Sequence, residues 1–165
     1  MSGVKQFKNV DGRAIRFRNF SGKAGRFNAE GDRNFCLLVD PETADELQEE
    51  GFRIRYLQPR DENEEPVPYL PIKVAYGKGR PPKVVMITKK GKTELDEESV
   101  SCLDWAEISV AHVAINPYEW HHGNDSGIKA YLKTMYVEIQ EDEFEDMFYD
   151  VPDSAKDSIG TAIED

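Results

Sequence analysis

Lys129, Tyr131 and Lys133 occupy alternate positions of the segment 127–140, GIKAYLKTMYVEIQ. On an extended strand alternate residues share a face, so these three side chains project together while Ala130, Leu132 and Tyr136 take the other side. A row of lysine, tyrosine and lysine can neutralise phosphates and offer a ring on which a base stacks, the chemistry of sequence-tolerant single-strand binding. The same residues also suit an ordinary half-buried strand with a solvated lysine face. The rest of the chain decides between the two.

The pattern recurs. Residues 12–20, GRAIRFRNF, place Arg16 and Arg18 opposite Ile15 and Phe17, and residues 52–57, FRIRYL, place Arg53 and Arg55 opposite Phe52, Ile54 and Tyr56. Two further strands, 69–76 (YLPIKVAY, with Lys73) and 83–89 (KVVMITK, with Lys83), flank the loop GKGRPP, where Lys78 and Arg80 could bind an anion. That loop lacks the spacing and the following helix of a phosphate-binding P-loop. Pro71 requires an edge or bulge position, because it cannot donate to a ladder. In the turn 116–126, NPYEWHHGNDS, Tyr118 and Trp120 alternate with Glu119, so both rings can project together; they could equally close the hairpin as a small aromatic cluster.

Catalytic chemistry finds no such support. There is no GxSxG, HExxH or dinucleotide fingerprint. His121 and His122 are adjacent and point apart, with only His112 besides, so no metal site and no cofactor are expected. Cys36 and Cys102 sit in apolar segments without CxxC spacing and read as buried free thiols. No run approaches a membrane span, and MSGVKQFKNV has no apolar signal core, so a soluble, cytoplasmic protein is expected.

Charge is segregated along the chain. The net charge is −11, yet residues 72–92 hold seven basic residues and no acid, and residues 1–39 hold eight basic residues against three acids. Residues 138–165 hold eleven acids and the single Lys156. A basic surface with an acidic tail has this distribution.

The elements that must position these groups follow from periodicity and punctuation. Residues 34–39, NFCLLV, form a buried strand, and Asp40-Pro41-Glu42 opens a surface helix that ends at Gly51. Residues 94–105 predict a second short helix, and 107–115 and 128–139 predict two strands around the long turn. The glycine-rich residues 21–33 and the acidic, proline-rich 58–68 are loops. The order of strands 52–57, 69–76 and 83–89, helix, then strands 107–115 and 128–139 is that of an OB-fold-like barrel, with 12–20 and 34–39 as added N-terminal strands. The fold class is thus mainly β, with two short helices; residues 1–140 form the domain and 141–165 an acidic tail, largely disordered after 152.

The stretches GRFNAEGDRNFCLLVD, YLPIKVAY with GKGRPP, LDWAEISVAHVAINPYEW and GIKAYLKTMYVEI, with the acid-rich end, make the chain resemble the single-stranded DNA-binding proteins encoded by bacteriophages. The resemblance covers most of the chain and rests on overall pattern. It implies an OB-fold holding single-stranded DNA on its basic strand faces and the Tyr118–Trp120 loop during replication or recombination, in the host cytoplasm. It further implies an acidic tail that meets replication or recombination proteins, although this chain ends on Ala162-Ile163-Glu164-Asp165 and not on the aromatic residue common in such tails. The other reading of the same residues is a protein-interaction or virion accessory β-barrel that binds no nucleic acid. A third, a metal-dependent nuclease, would need acids among the basic strands.

Overall fold

The apolar residues of the C-terminal half build one long antiparallel hairpin, β8 (Ile108–His122) and β9 (Asp125–Ile139), around which the sheet is assembled. The computed structural model describes residues 4–26, 28–77 and 80–140. Preceding the hairpin are β1 (Lys5–Asp11), β2 (Ile15–Asn19), β3 (Arg33–Leu38), α1 (Pro41–Glu50), β4 (Arg55–Leu57), β5 (Val67–Val74), β6 (Lys83–Thr88) and β7 (Gly91–Leu95). Strand order is β1-β8-β9-β5-β3-β2, with β4 on β5 and the β6–β7 hairpin on β9. The sheet stays open among the described residues, since β1 and β2 are its two ends.

One edge of β9 runs along β8; the other is shared by β5, parallel at Ala130 and Tyr131, and by β6, parallel from Thr134 to Glu138. Ile128, Ala130, Leu132, Met135 and Val137 are buried, so β9 faces the core along its whole length. The change from even to odd positions marks a bulge: Leu132 pairs with Ile115 but Thr134 with Ala114, which leaves Lys133 as the extra residue. Tyr136 is thereby carried to the outer face, contrary to the simple alternation. Ile15, Phe35, Leu37, Leu70, Ile72, Val84, Val113 and Ile115 complete the same core.

The helix is built as its sequence prescribes. Asp40 Oδ1 accepts from the Thr43 amide at 2.7 Å, and that N–H holds the Asp40 carboxyl below its usual range. Gly51 closes the helix at φ 114°, and Ala44 and Leu47 pack into the core. Pro71 is accommodated for a local reason. Pairing of β5 with β4 ends at Tyr69 and pairing with β9 begins at Ile72, so the proline lies where β5 changes neighbours.

Several expectations are corrected. Residues 116–126 are not a long turn: both strands continue to His122 and Asp125, and only Gly123 and Asn124 connect them, with Gly123 at φ 62°. Pro117 is tolerated in β8 because β1 pairs no further than Ile115. The helix expected over 94–105 is replaced by β7, paired with β6, and a 3-10 turn, Val100–Asp104. Residues 5–11, unassigned from sequence, form the edge strand β1. The strand expected from residue 12 begins with a 3-10 turn, Gly12–Ala14, and that expected from residue 52 is ladder-paired only from Arg55. The acidic tail, 141–165, lies outside the described residues.

Gly12 is where β1 turns into β2, and a Cβ there would stand 1.7 Å from the Ile108 carbonyl oxygen. Backbone would have to move to admit it, so Gly12→Ala should cost about 3 kcal/mol or more. Urea denaturation checks this, with a lowered midpoint as the expected result.

Candidate nucleic-acid interface

Because β2, β3, β4, β5, β8 and β9 bury one face, their outward positions make a second, continuous face. Register places Arg16 beside Cys36, Cys36 beside Pro71, Arg55 beside Tyr69 and Lys73 beside Tyr131. On the hairpin, Asn116 pairs with Tyr131, Tyr118 with Lys129 and Trp120 with Gly127, all on that same side. The charge of Arg55 reaches Cys36, but burial dominates and pushes that thiol up to about 11, so it is protonated at neutral pH.

Two aromatic groups occupy this face. Tyr118, 58% exposed, meets Tyr131 edge-on with centroids 5.8 Å apart. Trp120 lies against the neighbouring strand where Gly127 has no side chain; a Cβ there would be 3.0 Å from the indole. The second group is Phe17 and Tyr69, centroids 5.7 Å apart. Tyr69 and Lys73 are four residues apart on β5, about 13 Å at strand rise.

Basic residues run between the rings. Lys73, Lys129 and Lys133 are exposed and take no part in an ion pair among the described residues, where Lys5–Glu50, Arg13–Asp11 and Arg33–Glu97 are paired. Lys83 pairs in register with Thr134, continues the row beyond Lys133, and holds its ammonium 6.0 Å from the Tyr136 ring centroid. Arg16 is exposed, its Nε donating to the Arg13 carbonyl at 3.0 Å. Arg53 and Arg55 are exposed opposite the buried Phe52 and Ile54. Arg80 is exposed in the β5–β6 connection, and Lys78 lies outside the described residues.

Arg18 is not part of this face. Its guanidinium donates to the carbonyls of Leu103 at 2.9 Å and Ala106 at 2.6 Å, locking β2 to the 3-10 turn. The expected alternation fails here because β2 slips register against β3 between Arg16 and Asn19. Phe17, expected inward with Ile15, instead adopts φ 52° and is 59% exposed beside Tyr69. Left-handed backbone costs a residue with a Cβ roughly 1–2 kcal/mol. No periodicity in the sequence announces that reversal. Tyr69 was legible as an aromatic beside basic residues but not as a member of the site.

Across the middle of the face the outward positions 16, 34, 36, 38, 55, 57, 69, 71, 73, 116, 118, 120, 129, 131 and 133 hold no carboxylate, in a chain with 32 acidic and 21 basic residues; the outward acids of the hairpin, Asp125 opposite His122 and Glu138 opposite Val110, lie at its two ends. That exclusion leaves a face able to accept a polyanion and stack its bases. No group of three His, Cys, Asp or Glu side chains suited to a metal occurs among the described residues. None of their helices is long and apolar enough to cross a membrane.

No curated protein sequence matches the chain. Among solved structures, the single-stranded DNA-binding protein from bacteriophage Enc34 in complex with ssDNA is similar, with a TM-score of 0.55 and 13% identity over 87% of this chain and 90% of that one. A second structure of the Enc34 protein gives 0.53 and 13% over 87% and 85%. The shared architecture is mainly β and OB-fold-like. A family model described as a putative phage ssDNA-binding domain matches residues 1–165, and the chain belongs to that family.

Proposed function

We propose that the chain binds single-stranded DNA without sequence preference on the basic, aromatic outward face of the sheet, protecting it in replication or recombination in the host cytoplasm, and that it does so without catalysis. The observation that carries this is the face itself: lysines, arginines and aromatic rings gathered on its middle, with carboxylates only at the ends of the hairpin, on a protein of net charge −11. Lys73, Lys129, Lys133, Lys83, Arg16 and Arg55 neutralise phosphates, and the rings of Tyr118, Trp120 and Tyr131 stack on bases. Arg53 and Arg80 remain proposed contacts at its margins, and Lys78 a proposed contact on the sequence reading alone.

The experiment is a titration with fluorescent oligothymidine at low and raised salt, beside a duplex of equal length. Binding that favours the single strand and falls with salt is expected. Absence of binding at low salt, with the tail removed as well, would leave the protein-interaction module as the better account.

The acidic residues beyond 140 act in this scheme as a tethered competitor for the basic face, since tethering gives a polyanion a high effective concentration. Deleting residues after Pro152 should therefore tighten DNA binding at low salt, by the same titration. Unchanged or weaker binding would remove the tail from the scheme. Recruitment of replication or recombination proteins by the tail is the second role proposed for it.

A further inference from the structure

Phe17 carries a cost that the fold alone does not explain. It is the one non-glycine residue with positive φ among the described residues, yet its ring is left more exposed than buried. The conformation is imposed from both sides. Arg18 is tied to the Leu103 and Ala106 carbonyls, while the Asp104 carboxylate accepts from the Phe20 amide at 2.6 Å and the Ser21 amide at 3.2 Å. Between these anchors and the last regular pair, Arg16 with Cys36, the register slip leaves Phe17 directed onto the outer face. Strained backbone held by surrounding bonds, with an aromatic side chain presented to solvent, is what a pre-organised ligand contact requires.

We propose that Phe17 and Tyr69 form a second base-stacking station, distinct from that of Tyr118 and Tyr131, so that the strand crosses the sheet from the β8–β9 hairpin to β2. Lys73 lies between the stations, beside Tyr131 on one side and on the same strand face as Tyr69 on the other. Arg55, opposite Tyr69, and Arg16, next to Phe17, supply cations at the far station. The proposal rests on the single-strand reading of this face and adds its extent and path.

The test uses the full chain with three variants at Phe17 and oligothymidines of about 4 and about 16 nucleotides, the range of site sizes for one such fold. Phe17→Gly relieves the backbone strain and removes the ring; Phe17→Leu keeps apolar bulk without a ring; Phe17→Trp keeps a ring. Glycine and leucine should each weaken binding of the long oligonucleotide roughly five-fold or more, tryptophan should retain it, and the short oligonucleotide, served by either station, should bind within about two-fold of the parent. Melting temperatures should stay close to the parent for all three. Undiminished long-strand binding by the glycine or leucine variant, or equal losses at both lengths, would overturn the second station while leaving the single-strand reading intact. A parent protein that binds neither oligonucleotide would overturn that reading itself.

Discussion

Replacing Lys73, Lys129 and Lys133 together by glutamine should weaken binding of oligothymidine on the order of 100-fold near 50 mM salt and lower the slope of log K against log salt by about 2. The reasoning is counterion release: each lysine that meets a phosphate of a single strand contributes about 0.7 to that slope. All three ammonium groups are exposed on one face and take part in no ion pair among the described residues, so removing them breaks no internal interaction that would confuse the result. Arg60 is the control. It is exposed in the acid-rich connection between β4 and β5, on none of the strands of the face, and its replacement by glutamine should leave the slope nearly unchanged.

Tyr118→Ala and Trp120→Ala should act in a different way. Each removes a stacking surface worth about 1 to 3 kcal/mol per base, so affinity should fall roughly five-fold or more at every salt concentration while the slope stays as in the parent. Tyr118 stands largely in solvent, so its loss should scarcely alter the urea midpoint. Trp120 rests on Gly127 and is half-buried, so a modest loss of stability should accompany its effect on binding. Equal affinity for both variants, measured by the same titration, would remove the hairpin from the site.

The two sets of variants separate charge from stacking, and they also mark what the sequence made legible. Lys129, Tyr131 and Lys133 follow strict alternation until the bulge at Lys133, and their common face was readable as such. The end of the hairpin was not. Pro117, Gly123, Asn124 and Asp125 are turn formers, and their density hid a two-residue Gly-Asn turn at the tip of two long strands. Tyr118 and Trp120 were nonetheless placed together correctly, because alternation in a loop and alternation in a strand predict the same side.

Arg18 shows the opposite case. Its position beside Arg16 follows the alternating pattern, but a register slip that depends on Leu103, Asp104 and Ala106, more than eighty residues away, turns it into a structural anchor. Such long-range capture leaves no local signal. The helix expected over 94–105 failed for a related reason: Gly91–Leu95 has a partner in β6, and a ladder overrides weak local preference. The N-terminal strand β1 likewise exists because β8 offers it an edge.

The central claim is that one face of the sheet, from β8 to β2, holds the single strand. Ultraviolet cross-linking of oligothymidine to the full chain, followed by mass spectrometry of the peptides, tests it most directly. Cross-links at Tyr118, Trp120, Tyr131, Tyr69 and Phe17 are the predicted result. Cross-links confined to Trp105, which is 78% exposed and follows the 3-10 turn on no strand of that face, would contradict it.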